Sequence, residues 1–518
     1  MRNWRNFIKF ILPVLLFGSL SGAGTGVLIA LYKFCAEKVL SFSSDVYAYL
    51  RLHPLVVLAA LPVLAAAACI YSVIYRRYPN LKGGGIPASV VALRGLQPVR
   101  WVCDIIGVFF LSLGTFFFGV PLGNEGPSVQ MGTAVGEGWV RIMPKRFRAW
   151  SRYSMTAGAC AGFTAATGSP ISGIVFALED IHGRVSPVIV LTAFVAVAFA
   201  NLIMSLLAPV LGISPHLFSV SDVPVLGFDM LWLPLLIGLV LGFYAVAFMK
   251  CYNRIHRFWN KTLGKIPVWV RLLIILLLTM LLGLWQDEFI STGHHLMVHL
   301  LHEDMPLLLL AAVLMVRTAM TLSANTTGMT GGLFLPIMAL GALLAGVMTH
   351  LLPFVGEEYR ELILLLGIAA CIAGMMNTPI TAIAFSVEAL GCVDNILPVI
   401  IAAVVSFAVT AVFSMESIAE NVVEHQMVAL RRGKTTKVVE TYVTVSPNAF
   451  VEGKQVRDVF WPNGVFIFSV KHPDKQDATV AASENDKSIR AGDILHIRYS
   501  TFDEERTLDE LDALVKGD

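Results

Sequence analysis

Long apolar runs separated by short polar stretches occupy the chain from Phe7 to about Met415, with clear examples at 10–34, 55–75, 188–212, 227–249, 270–285, 305–322 and 393–413. A run of this length matches the roughly 30 Å of a bilayer's hydrocarbon, so each predicts a membrane-crossing helix, and roughly ten or more are expected in all. The first run follows Arg2, Arg5 and Lys9 and precedes Ser21, Gly22 and Ala23, which is also the layout of a signal peptide. It stays apolar through Leu31, as long as a span, and is read as the first transmembrane helix. Near Val428 the pattern changes. Beyond Arg431-Arg432-Gly433-Lys434, apolar and polar residues alternate over Lys437–Val445, Gly464–Lys471 and Asp493–Tyr499, bounded by Pro-Asn-Gly and Ala-Gly-Asp turns. Period-two alternation predicts strands, so residues 429–518 are expected to form a small β-rich domain after a membrane part spanning 1–428.

Composition sharpens this picture. The 518 residues are 56% hydrophobic and only 14% charged, with a mean hydropathy of +0.73, a combination outside the range of ordinary soluble domains. The net charge of +2 argues against a nucleic-acid partner. Basic residues cluster at Arg2–Lys9, Arg76–Lys82 and Arg141–Arg152, which suggests cytoplasmic faces and, with the tail, cytoplasmic termini. Seven cysteines lie singly, without a Cys-x-x-Cys spacing, so disulfides and cysteine-held metal are not expected.

The membrane part contains a duplication. Ser169-Pro-Ile-Ser-Gly-Ile-Val-Phe-Ala-Leu-Glu179 aligns with Thr378-Pro-Ile-Thr-Ala-Ile-Ala-Phe-Ser-Val-Glu388 at an offset of 209, and the same offset places Gly123 on Gly332, Pro127 on Pro336 and Gly132 on Gly341. Two segments sharing one offset predict a repeat. An odd number of crossings per half would invert one half in the bilayer, with a site near the midplane where helices break.

Three such breaks are legible: Gly83-Gly-Gly-Ile-Pro87, Gly123-Asn-Glu-Gly-Pro127 and Gly331-Gly-Leu-Phe-Leu-Pro336. Each ends in a proline suited to a helix's first turn, where its missing N–H costs nothing. Free N–H groups and the positive dipole end at such a terminus attract anions. Irregular backbone at membrane depth is tolerated only inside protein or along a watery path. Glu125 lies within the second break, between apolar Leu122 and Val129, where a carboxylate is costly. It could act as a tethered mimic of a permeating anion, bound when charged and displaced when protonated, or simply cap a buried helix. Glu179 and Asp180 close the segment Ile171–Leu178, beside His182 and Arg184. They read either as ordinary charges at a solvated helix end or as a cytoplasmic entrance for protons. Glu388, the repeat partner of Glu179, is expected to be structural.

The three breaks, in this order and spacing, resemble the anion-pathway motifs of the CLC chloride channels and proton-coupled exchangers, and the likeness covers roughly residues 10–425. Pro-Ser-Val-Gln-Met-Gly after Gly126 and Met-Ala-Leu-Gly after Ile337 match in context. The resemblance implies an all-α polytopic membrane protein with an inverted repeat and broken helices, and a homodimer with one pathway per subunit that carries chloride or another halide against protons. It implies Glu125 as the gate and external proton site, the N–H groups of Leu333 and Phe334 as anion ligands, and Asp180 where exchangers keep an internal proton-transfer glutamate. Gly84, Gly85, Ile86, Asn124 and Gly126 would complete the anion site. Neither a cofactor nor an enzymatic role is implied.

The departures from that pattern fall at the site itself. Gly84 stands where the family usually has serine, and Asn124 where an arginine usually precedes the gate. The usual tyrosine near the last helix is missing, the alignment offering Ala419 or Glu416. Asn124 resembles the branch that exchanges fluoride for protons; chloride or a broad halide range is placed slightly ahead. The tail resembles the RCK-C (TrkA-C) regulatory domain through Ser446-Pro, Gly453-Lys, Pro462-Asn-Gly-Val and Ile489-Arg-Ala-Gly-Asp-Ile-Leu495, implying a small α/β cytoplasmic domain that acts as a ligand-sensing or dimerising module. Gly433-Lys-Thr435 lacks the glycine of a phosphate loop, Val428 standing in its place. His294, His295, His299 and His302 are read as a helix end facing water rather than a metal site. A potassium channel is disfavoured because no Thr-Val-Gly-Tyr-Gly filter is present.

Overall fold

The computed structural model describes residues 11–182, 186–218, 223–261, 264–431, 437–462, 464–472, 479–481, 488–501 and 504–516. The basic cluster Arg2–Lys9 and the Gly433-Lys-Thr435 segment lie outside the described residues. The membrane part is built from α1 (Leu12–Leu52), α2 (Pro54–Arg77), α3 (Ile86–Leu93), α4 (Trp101–Phe117), α5 (Glu125–Ile142), α6 (Ser151–Thr167), α7 (Pro170–Phe176), α8 (Pro187–Leu211) and α9 (Trp232–Lys261). It continues through α10 (Val268–Trp285), α11 (His294–His302), α12 (Leu307–Thr327), α13 (Phe334–Leu351), α14 (Arg360–Met376), α15 (Pro379–Glu388), α16 (Ile396–Val412) and α17 (Ile418–Arg431). Among the described residues, eight helices are long and apolar enough to cross a membrane, and three shorter apolar ones accompany them. The expected ten or so segments are reached only by counting these shorter helices, because the breaks cut the bundle into pieces too short to span.

Local chemistry explains the ends. Pro54, Pro170, Pro187 and Pro379 open their helices, where a fixed φ and a missing N–H suit the first turn. Gly168 and Asn377 close α6 and α14 in the left-handed conformation, at φ +73° and +56°, and glycine and asparagine are the residues that tolerate it best.

The duplication is structural. Helices α5 and α13 begin and end 209 positions apart, as do α6 and α14. Gly123 and Gly332, aligned from sequence, meet as an antiparallel bridge, each N–H donating to the other's carbonyl at 2.7 Å. Reciprocal exchange between equivalent residues marks a local two-fold relation, and the starts of α5 and α13 face each other across it. A second exchange repeats the relation. Glu179 accepts from the N–H groups of Ile380 (3.0 Å) and Thr381 (2.8 Å) and from the Thr381 hydroxyl (2.7 Å). Glu388 accepts from Ile171 (2.8 Å), Ser172 (2.7 Å) and the Ser172 hydroxyl (2.6 Å). Each carboxylate sits at the positive end of the other half's short helix, where a negative charge is stabilised.

Small residues let the helices approach. A Cβ on Gly22 of α1 would stand 2.2 Å from the Ala196 carbonyl of α8, and one on Gly238 of α9 would stand 2.7 Å from the Ala402 carbonyl of α16. Lipid offers helices no hydrophobic incentive to associate, so this close contact supplies the packing.

The anticipated domain boundary at 428/429 falls inside α17, which continues to Arg431. The tail forms an antiparallel sheet of β1 (Lys437–Thr444), β2 (Val465–Lys471), β3 (Thr479–Ala481) and β4 (Ile494–Thr501) in the order β1-β4-β2-β3, packed with α18 (Glu504–Val515). Its core of Val445, Val451, Ile489, Leu495, Ile497, Leu511 and Val515 takes in Ala149, just before α6. Arg152 donates to the Trp461 carbonyl and to Glu510, both at 2.6 Å, and Trp150 and Tyr153 pack edge-on or tilted against Phe450. The tail therefore docks on the side that carries the basic cluster Arg141–Arg152.

Candidate anion pathway

The three breaks converge. Gly83 donates to the Gly328 carbonyl (3.1 Å) and accepts from Gly331 (3.3 Å), joining the first to the third, while the Gly123–Gly332 bridge joins the second to the third. The first and second touch directly: a Cβ on Gly126 would stand 2.1 Å from the Gly84 carbonyl, and one on Gly85 would stand 2.1 Å from the Gly126 carbonyl. Only glycine permits backbone this close.

Gly85 has φ +76° and ψ −60°, a γ-turn conformation that other residues adopt only under strain. The turn commits the Ile86 N–H to the Gly84 carbonyl at 2.8 Å. Leu333 and Phe334 open α13, and Asn124 and Glu125 open α5, at equivalent positions with matching backbone: φ −98° and ψ −10° at Leu333, φ −93° and ψ −15° at Asn124. First-turn N–H groups such as those of Phe334 have no intrahelical partner, so both starts present unpaired donors.

Glu125 is wholly buried, and neither carboxylate oxygen has a hydrogen-bond partner among the described residues. One oxygen lies 2.6 Å from where a Gly123 Cβ would stand. The first-turn N–H groups of Glu125 and Leu335 act on this carboxylate, without the close, multiple hydrogen bonds that Glu179 and Glu388 accept as caps. Asn124 lines a cavity of about 750 Å³ together with Lys33, Glu37, His294, His295, Arg317 and Leu335. Lys33 is 6% exposed and close enough for its charge to act on Glu125. Arg317, 2% exposed, is turned to structure, donating at 2.6 Å to the Glu288 carbonyl and also to that of Ile290. His294 contacts the Leu217 carbonyl at 2.7 Å, so it does not sit at a wholly water-facing helix end.

Glu179 and Asp180 are not brought to this point. They lie on a π-helical stretch, Ala177–His182, that continues α7, and such widened turns recur at functional sites. Glu179 is spent on its cap. Asp180 keeps one buried oxygen without a hydrogen-bond partner among the described residues, near the charges of Glu179, Glu420 and Arg94. Arg94 and Glu420 form a two-pronged pair at 2.9 and 2.8 Å. Four buried phenylalanines cluster at the start of α13: Phe163 stacks on Phe176 (4.8 Å), and Phe334 meets both Phe163 and Phe385 edge-on (5.2 Å each). Of the residues offered for the missing tyrosine, Glu416 is exposed and Ala419 packs at the edge of the core.

Sequence reasoning passed over Lys33, Arg317 and Asn325. The signal was present for two of them, since a charge inside an apolar run is itself a pointer. Asn325 carried none.

Broken helices that meet start to start inside a multi-pass bundle, with an unpaired carboxylate between them, define a membrane transport protein. Residues 64–411 match the voltage gated chloride channel family, about two thirds of the chain, and the protein belongs to that family. It is 27% identical over 409 residues to the H(+)/Cl(-) exchange transporter ClcA of Salmonella paratyphi B, covering 76% of this chain and 84% of that protein. The ClcA of Salmonella schwarzengrund is 29% identical over 345 residues, 64% of this chain and 71% of that one. Among solved structures, a slow cyanobacterial Cl-/H+ antiporter superposes with a TM-score of 0.72 at 21% identity, over 80% of this chain and 98% of that one. A CLC-type fluoride/proton antiporter superposes with a TM-score of 0.64 at 21% identity, over 77% and 95%.

Proposed function

We propose that the protein exchanges a halide, in the first place chloride, for protons across a cell membrane, and that it is not an enzyme. The observation that carries this reading is Glu125: a buried carboxylate, unpaired among the described residues, held where helix starts from both halves meet. Charged, it occupies the place an anion would take. Protonated, it loses its attraction to the helix starts and yields that place, so one group couples anion entry to proton uptake. The first-turn donors at Leu333 and Phe334 and the close-packed glycines Gly84, Gly85 and Gly126 form the anion's surroundings. Asp180, rather than the capped Glu179, is the internal proton group, and the phenylalanine cluster is the stretch that water must bridge.

Fluoride is the second reading, favoured by Asn124 and Gly84. A side chain with both donor and acceptor at 124 and the lack of a hydroxyl at 84 alter the binding of a small, strongly hydrated anion. The tail is a cytoplasmic regulatory domain that senses a small molecule, both termini are cytoplasmic, and two copies of the chain assemble as a homodimer with one pathway each. The deciding experiment measures proton and anion flux from purified protein in liposomes under chloride and fluoride gradients. Chloride-coupled proton movement is the expected result. Fluoride-driven proton uptake with little chloride response would make the protein a fluoride exporter, and anion flux without protons would make it a passive channel.

A further inference from the structure

We infer that the side-chain amide of Asn325 is a ligand of the permeating halide, replacing from another helix the hydroxyl that Gly84 cannot supply. The inference rests on the reading of the three breaks as an anion pathway.

Asn325 lies in the last turn of α12, which the left-handed Gly328 terminates. It is 8% exposed, and its carboxamide makes no hydrogen bond to any described residue, although the Asn325 backbone carbonyl accepts from Gly328. Its neighbours behave differently. The Thr326 hydroxyl donates to Leu322 and that of Thr327 to Ala324, both at 2.8 Å. Beside two threonines committed to their own helix, the Asn325 amide keeps its donors for a partner from outside the protein.

The direction of the side chain says where that partner sits. Asn325 Nδ2 stands 3.6 Å from the point a Cβ on Gly84 would occupy, and the Gly331 carbonyl stands 3.5 Å from the same point. These are ordinary contact distances, and Gly84 lacks the left-handed φ of Gly83 and Gly85. A serine would therefore fit at 84. The hydroxyl is absent from the first break, and an N–H donor reaches the same spot from α12. An anion selects the N–H end of the amide over its carbonyl, which fixes the orientation that is useful there.

The test is halide binding to the purified full chain, by titration calorimetry with chloride and with fluoride, alongside flux in liposomes. Asn325→Leu removes the donor, and Asn325→Asp keeps the shape while replacing the donor with a like charge. Both are expected to weaken halide binding by about tenfold or more, the worth of one hydrogen bond to a charged group. Gly84→Ser added to Asn325→Leu is expected to recover most of that loss. Unchanged affinity in Asn325→Leu, or a loss that Gly84→Ser does not repair, overturns the inference while leaving the pathway standing. Absence of halide binding and flux in the unsubstituted protein overturns the pathway and the inference with it. Should Asn325→Leu fail to fold, Asn325→Asp decides alone: wild-type affinity in it overturns the ligand role.

Discussion

The two halves of the membrane part share a scaffold and differ in chemistry. Glu179 and Glu388 are repeat partners and do the same thing, each capping the other half's short helix. Phe176 and Phe385 are partners too, both buried and both in the aromatic cluster around Phe334. At the helix starts the partnership breaks: Asn124 and Glu125 of the first half correspond to Leu333 and Phe334 of the second, and Asp180 corresponds to Ala389. Glu179 and Glu388, present in both halves, hold the fold together; Glu125 and Asp180, each present in one half, keep buried carboxylate oxygens outside any such reciprocal cap. Symmetry thus separates architecture from candidate chemistry without any comparison to another chain.

The sharpest way to break this division is Glu125→Gln, which is expected to lower proton flux by about a hundredfold or more while anion flux persists, measured in liposomes with a pH-sensitive dye. Proton movement that survives would move the gate elsewhere. Next in size, Glu179→Ala and Glu388→Ala should each destabilise the protein by about 2–4 kcal/mol, since each removes three hydrogen bonds to a charge at a helix start. Thermal unfolding in detergent checks this, and a cost for one without the other would contradict the reciprocal cap. Asp180→Asn should slow proton flux about tenfold and leave thermal stability near wild type, whereas Glu179→Gln should leave coupling intact; the reverse result would exchange their roles. Smallest is Arg152→Ala, expected to weaken docking of the tail by about 1–2 kcal/mol. Hydrogen exchange at Phe460 and Trp461 should then quicken, and unchanged protection would mean that the aromatic contacts of Trp150 and Tyr153 suffice.

Much of this was legible in one dimension. Apolar runs marked the long helices, proline marked their starts, and an offset of 209 found the repeat that the Gly123–Gly332 bridge makes physical. Three strands were placed by alternation, close to β1, β2 and β4. The short strand Thr479–Ala481 went unseen, three residues being too few to show a period, and the helix expected in a small α/β tail is α18, whose Leu508, Leu511 and Val515 recur at helical spacing. At 428/429 the hydropathy changes before the helix ends, and α17 runs on into the polar stretch up to Arg431.

The sequence by itself determined a multi-pass bundle with three broken helices, a duplicated core and a carboxylate within one break, because apolar length, glycine, proline and a charge among apolar neighbours act on the chain locally. Which group pairs with which was decided only by the tertiary structure. Glu179 finds its donors about two hundred positions away, the Ile86 N–H is lost to a turn set by Gly85, Lys33 reaches the surroundings of Glu125, and Asn325 arrives beside Gly84. Hydrogen bonds and charges depend on distances of a few ångströms between segments remote in the chain, and such distances exist only once the helices have packed.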